Sequence, residues 1–279
     1  MRNDESSYQA ARQYQADHPG VSYTRAKRIV TTSTTATRAA LAASYPGPDG
    51  QPVVVNLEWP SDFRGSSSSG PHAVLIGPYS AALLPSLADK LSAAQEDRDL
   101  EIVYSTAESP GYSIRAKHTH LTHQQLVDHV DDLACTRQDM LRQNNVPDIE
   151  KARAAGHRVP TVAVFIDRPD LTLVEAIIGW SRIGRALGID FVVAGASAPD
   201  MEGDDDVFLG DPYGDNLDRA VPEMDYLLKS GMFSVVVSVV SARRAALVVD
   251  ENRPGPDTVK RVTEFLFVPP SPAQRLWRP

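Results

Sequence analysis

The stretch GPHAVLIGPYSAALLPSLADKL, residues 70–91, has the order that phosphate chemistry uses: a short apolar run, a glycine, then a helical pattern. A phosphate-holding loop reads G-x-x-x-x-G-K-[ST]. Its amides cradle the phosphates, its lysine reaches the terminal ones and its hydroxyl binds magnesium. Counted from the glycine, this chain reads Gly77, Pro78, Tyr79, Ser80, Ala81, Ala82, Leu83, Leu84. Ala82 stands at the second glycine, Leu83 at the lysine and Leu84 at the hydroxyl residue. Pro78 removes one amide from the cradle. These losses strike separate functions, so no single compensation restores them.

A second candidate is Asp167, which ends the apolar run TVAVFID and is followed by Arg168 and Pro169. A carboxylate there could support magnesium, but a cation beside it cannot serve as a base. The segment KHTHLTHQQLVDH places His118, His120, His123 and His129 close together, with Asp128 and Asp132. His-x-His can bind zinc. His123 and His129 are six apart, so they fall on different helix faces, and no second cluster supplies a fourth ligand. The expectation is a polar loop and helix start, with no metal. The run at 200–218 carries eight acids and no base, yet fails the calcium-loop pattern. It reads as a solvated loop. No G-x-S-x-G elbow is present. Cys135 lies in a helical pattern and reads as a small packed residue, and Trp180 as core or interface.

The elements that must position these residues follow from periodicity. AVLIG (73–77), LEIVYS (100–105), TVAVFID (161–167) and IDFVVAG (189–195) are short apolar runs that read as buried strands. Helical patterns separate them. AALLPSLADKLSAAQ carries Pro85, expected to kink the helix or fall in its first turn. Thr122 and Gln125 form a capping box, after which Leu126, Val130, Leu133, Ala134 and Leu141 recur at helical spacing to about Asn144. LTLVEAIIGWSRIGRALG is a helix closed by Gly188. Strands alternating with helices predict a mostly parallel sheet covered on both faces. SVVVSVV, AALVVD and TEFLFV add three further strands.

The chain has 279 residues, 42% of them hydrophobic, enough for one large domain. A net charge of −8 argues against a broad nucleic-acid footprint. One cysteine excludes an internal disulfide and points to a reducing compartment. The polar N-terminus has no secretory pattern, and no apolar run is long enough for a membrane helix. A cytoplasmic protein is expected. Residues 1–45 read as a separate helical arm with six bases against three acids, a basic segment that could touch nucleic acid. SYPGPDGQP (44–52) reads as a linker before the apolar strand VVVNLEW, and 269–279 as an extended tail.

"NLEWPSD…GPHAVLIG" with its following helix resembles the nucleotide-loop region of FtsK/SpoIIIE-type ATPase domains, and most of all the tandem ATPase domains of actinobacterial type VII secretion. "TRQDMLRQNNVPDIEKARAAGHRVPTVAVFID" resembles the segment leading into that family's second nucleotide motif. "WSRIGRALGIDFVVAGAS" is similar to the helix and strand after it. The likeness covers residues 52–198. It implies a P-loop NTPase-like, RecA/FtsK-like domain over 52–268, with a degenerate nucleotide site at Gly77, Pro78, Tyr79, Ser80, Ala81, Ala82, Leu83, Leu84 and Asp167. Where the family carries a catalytic glutamate this chain has Arg168, and where it often carries a Ser-Gln sensor this chain has Ala194-Gly195-Ala196-Ser197. Arg182 and Arg185 match the family's Arg-x-Gly-Arg-x-x-Gly phrase and would face a partner. The resemblance implies a non-catalytic adaptor or regulatory partner in a protein- or DNA-translocation system, binding an active ATPase or its substrate. Two alternatives stay open. One is a weak NTPase that binds ATP or ADP with Mg²⁺ through Asp167; the other is a DNA-associated protein acting through residues 1–45.

Overall fold

The computed structural model describes residues 12, 42–57, 70–95, 100–107, 113–196, 221–241, 243–251 and 259–269. The chain divides into two compact units: residues 1–40 with 60–64, and residues 41–59 with 65–279. The first lies outside the described residues apart from Arg12, and so does the expectation of a basic helical arm. The acidic run at 200–218 and the tail at 270–279 also fall outside them.

The second unit opens with a hairpin, β1 (Ala42–Pro46) and β2 (Pro52–Asn56), paired antiparallel from Ala42↔Asn56 to Pro46↔Pro52. This corrects the reading of 42–45 as helical arm and of 44–52 as linker. The Pro/Gly-rich residues make the turn instead. Gly50 is left-handed at φ 80° and donates to Gly47 O at 3.0 Å, while Gly47 donates to Gln51 O at 2.7 Å. β1 has little strand propensity of its own; tertiary packing decides it. Tyr45 is buried with its ring 4.8 Å from that of Phe265, and Lys90 Nζ donates to Ser44 O at 2.8 Å.

The remaining elements are β3 (Gly70–Ile76), α1 (Ser80–Ala94), β4 (Leu100–Thr106), β5 (Thr119–Thr122), α2 (His123–Gln143), α3 (Ile149–Ala154), β6 (Thr161–Asp167), α4 (Leu171–Leu187), β7 (Ile189–Gly195), α5 (Pro222–Lys229), β8 (Phe233–Ser241), β9 (Arg244–Glu251) and β10 (Val259–Leu266). Among the described residues β3 to β10 form one sheet in the order β10-β9-β8-β3-β7-β6-β4-β5. The six strands from β8 to β5 are parallel, and β9 and β10 add an antiparallel edge. The expected mostly parallel α/β sheet is the one observed. Every residue of β6 and β7 is buried, as their unbroken apolar runs require. β5 and α5 were not legible: β5 is three polar residues and one leucine on the sheet edge, and α5 buries only Met224 and Leu227 over eight residues.

α1 and the hairpin share one core with one face of the sheet, and α2 to α5 share the other. The chain leaves β3 toward β4 on one side and returns to β8 on its other side. β3 is therefore the topological switch point, where open α/β sheets bind ligands beyond the strand ends.

α4 is seated by contacts that explain the Arg-x-Gly-Arg-x-x-Gly phrase. A Cβ on Gly184 would stand 2.6 Å from Ile189 O and 3.2 Å from the His72 ring. His72, fully buried, accepts from Phe191 N at Nδ1 (3.1 Å), so its Nε2 carries the proton and donates to Ser181 O (3.1 Å). Gly188 takes the left-handed C-cap at φ 66°. Buried Arg137 of α2 donates to Leu187 O, to Gly188 O at 2.9 Å and to Pro160 O at 2.8 Å, closing that helix end. Gly184→Ala should lower unfolding stability by roughly 1–3 kcal/mol, read from denaturant melts, because backbone rather than a flexible side chain must move.

Candidate functional site

At the C-terminal ends of β3, β4, β6 and β7 lies a cavity of about 320 Å³ lined by Gly77, Pro78, Ser80, Ala81, Tyr104, Asp167, Arg168 and Ala196. Gly77 bends the chain out of β3 at φ 132°, a conformation that favours glycine. It donates to Gly195 O at 3.2 Å, which ties the bend to the end of β7. Three residues later the helix begins. Ser80 is the first residue of α1; its N–H donates to Gly77 O (3.2 Å) and its hydroxyl to Gly195 O (2.9 Å). Ala82 and Leu83 both donate to Tyr79 O, at 3.0 and 3.3 Å. Pro78 has no N–H to offer. The amides of residues 77, 80, 82 and 83 are thus spent within the chain.

The nine candidate residues separate accordingly. Gly77, Pro78, Ser80, Ala81 and Asp167 line the cavity, whereas Tyr79 is exposed at the helix start. Ala82, Leu83 and Leu84 are buried in the core between α1 and the sheet, together with Leu87 and Leu91. Those three are corrected from site to core residues: their side chains serve packing and do not reach the cavity. Pro85 sits in the second turn of α1, buried with them rather than in the first turn.

Asp167 ends β6 with its side chain 5% exposed. Its Oδ2 meets Arg168 Nη2 at 3.5 Å, and its Oδ1 has no partner. Burial raises its pKa, against the lowering effect of the Arg168 cation. Arg168 itself is left-handed at φ 50° and donates its N–H to Ala194 O at 2.8 Å, which continues the β6–β7 ladder one residue past the strand. His123 Nε2 donates to Asp167 O at 3.2 Å. Burial lowers the His123 pKa in spite of that bond and of the Asp170 and Asp167 charges. Tyr104, on the floor of the cavity, has its phenol pushed up by burial and by the Asp167 charge. His120 pairs in register with Tyr104 across β4–β5, rings 6.4 Å apart. The histidine-rich stretch is therefore strand, cap and helix start beside the cavity, held by the expected Thr122–Gln125 box. Among the described residues no His, Cys, Asp or Glu trio is placed to hold a metal.

Arg182 and Arg185 lie on the exposed face of α4, and neither lines the cavity. Gly195, at the end of β7, is covered by Met224 of α5; a Cβ there would stand 2.1 Å from its sulfur. Ser197 lies outside the described residues. Cys135 is exposed, which corrects its reading as a packed residue, while Trp180 is buried with its Nε1 donating to Asp131 Oδ1 at 2.7 Å.

No family model matches the chain, and no curated protein matches it at a significant level. Solved structures do. The cytoplasmic domain of the Thermomonospora curvata type VII secretion ATPase EccC aligns over 83% of this chain and 29% of its own, at 17% identity and a TM-score of 0.57. EssC (ATPases 2 and 3) from Geobacillus thermodenitrificans aligns over 85% and 46%, at 11% identity and a TM-score of 0.50. Thermomonospora curvata EccC (ATPases 2 and 3), in complex with a signal sequence peptide, aligns over 84% and 44%, at 15% identity and 0.50. The fold is that of an FtsK/SpoIIIE-like ATPase domain. The chain spans less than half the length of each of these structures. Among its described residues no helix is long and apolar enough to cross a membrane.

Within this FtsK/SpoIIIE-like fold, Tyr104 and Arg137 were missed by sequence reasoning, and His123 was weighed there only as a zinc ligand. Tyr104 lies inside an ordinary apolar run. Two signals were present: the Thr122 cap, which aims His123 at β6, and the place of Arg137 on the buried stripe of Leu126, Val130, Ala134 and Leu141. The raised Asp167 pKa makes a testable statement. The folded chain binds this proton more tightly than the unfolded chain, whose carboxyl titrates near pH 4. Stability therefore falls as pH rises from about 4 through the raised folded value. Asp167→Asn should melt a few degrees higher than the parent at pH 7, with the gain vanishing below about pH 4.

Proposed function

We propose that this chain is a non-hydrolysing FtsK/SpoIIIE-like domain that acts as an adaptor or regulatory partner in a protein- or DNA-translocation system. The observation that carries the reading is the early start of α1 at Ser80. A triphosphate with Mg²⁺ needs a ring of free amides, a lysine and a hydroxyl. Here the amides of residues 77, 80, 82 and 83 bond within the chain, and the residues at the lysine and hydroxyl positions are buried leucines. Arg168 stands where the attacking water would need a base, and its cation cannot supply one. These residues do not fit a nucleotide and its metal, so no catalytic step is derived through them.

A domain without turnover acts through surfaces. The exposed Arg182 and Arg185 would face a protein partner, such as an active translocation ATPase or its substrate. A signal sequence peptide bound to the Thermomonospora relative supports a protein substrate as one such class. The retained Asp167, lining the cavity, favours the second reading of a weak NTPase that uses this carboxylate for Mg²⁺. Phosphate release from ATP with Mg²⁺ separates the two. The expected result is release at the buffer background, unchanged in Asp167→Ala. Turnover that disappears in Asp167→Ala would establish the second reading instead.

A further inference from the structure

α2 and α4 lie side by side in the layer that covers one face of the sheet, joined by the Asp131–Trp180 hydrogen bond. The middle of α2 and the second half of α4 carry opposite charge on their outward faces. α2 exposes Asp128 and Asp132, two like charges at i,i+4 that weaken an isolated helix. α4 exposes Arg182 and Arg185 in its second half and Glu175 in its first. Among the described residues none of the Asp128, Asp132, Arg182 and Arg185 side chains has an ion-pair or hydrogen-bond partner. Between them α4 carries Gly179, exposed at mid-helix, where an added Cβ would meet nothing within 4 Å. A glycine there costs about 1 kcal/mol relative to alanine. Gly184 and Gly188 have reasons within this chain; Gly179 has none. A bare helix surface flanked by exposed Ile183 lets another backbone approach closely.

The heights of these groups match. The register places Thr122 and Asp167 level, both opposite Thr106, so α2 and α4 start near one level. From the helix starts at His123 and Leu171, Asp132 lies about 14 Å along α2 and Arg182 about 16 Å along α4. Asp139, which also pairs with Arg142, lies about 24 Å along and Arg185 about 21 Å. A two-fold axis running along the helices keeps these heights and sets α2 of one copy over α4 of the other. Any axis that set α2 over α2 would oppose like charges. Two helices about 9 Å apart and up to about 30 Å long offer on the order of 600 Å² per protomer, at the low end of specific interfaces.

We propose that the α2–α4 layer is a self-complementary docking surface whose occupant is a second copy of this chain, with Arg182 meeting the partner's Asp132 across Gly179. This rests on the reading that the arginine side of α4 faces another chain, and names that chain.

The test is the molar mass of the full chain in solution, by light scattering at low and high salt. The parent should be a dimer that weakens as salt rises. Arg182→Asp and Asp132→Arg should each weaken association by roughly tenfold or more, and the two changes together should restore it. All positions are exposed, so melting temperatures should stay within a degree or two of the parent. A monomeric parent, or single reversals that leave the dimer intact, would overturn the proposal. Trapping gives an independent reading. Ile183 and Cys135 both lie twelve residues from their helix starts. Ile183→Cys should form a disulfide-linked dimer with the native Cys135 on mild oxidation, and a product that stays monomeric would contradict the arrangement. ATP turnover would sink the adaptor reading while leaving the dimer untouched, and a monomer would do the reverse.

Discussion

Leu83, Leu84, Leu87 and Leu91 bury one face of α1 against the sheet, and that burial fixes where the helix can begin. A fully buried leucine is worth about 2 kcal/mol. Four of them outweigh any tendency of the Gly77 segment to stay open as a loop. The helix therefore winds back to Ser80, its first turn consumes the Ala82 and Leu83 amides, and Gly77 and Ser80 both lock to Gly195. The positions that the phosphate-loop pattern gives to a lysine and a hydroxyl residue are here leucines of the core, and the shape of the cavity follows from their burial.

The same economy runs through the rest of the site. Asp167 keeps a carboxylate at the end of β6, but its nearest cation is its own neighbour, Arg168. His123 spends its Nε2 proton on the Asp167 carbonyl. Met224 occupies the space that a side chain at 195 would need. Among the described residues, Asp167 Oδ1 and Ser105 Oγ are the buried polar atoms near the strand ends that have no partner. On the outer faces of α2 and α4, by contrast, Asp128, Asp132, Arg182 and Arg185 stand exposed without partners among the described residues.

How far the sequence foretold this depends on the kind of signal. β6 and β7 were legible to the residue because an unbroken apolar run between turns has few other solutions. The Thr122–Gln125 box and the Gly188 cap were legible because their chemistry is local. The hairpin at 42–56 was not: Pro48-Asp49-Gly50 marks a turn equally well within a linker, and only Tyr45 packing on Phe265 turns Ala42–Pro46 into a strand. The candidate loop was located by motif spacing, yet spacing could not show that Ala82, Leu83 and Leu84 face away from the cavity. That depends on the phase of α1, which tertiary burial sets. Tyr104 carried no local mark, since its role arises from strand neighbours distant in sequence, whereas Arg137 was marked by a charge on the apolar stripe of α2.

The most direct measurement is a calorimetric titration of the purified chain with ATP and with ADP, each with Mg²⁺. The account predicts no binding heat for either nucleotide, because the amides are spent and the leucines are core. Saturable binding with one nucleotide per chain would contradict it, and would mean that the first turn of α1 unwinds to rebuild the cradle.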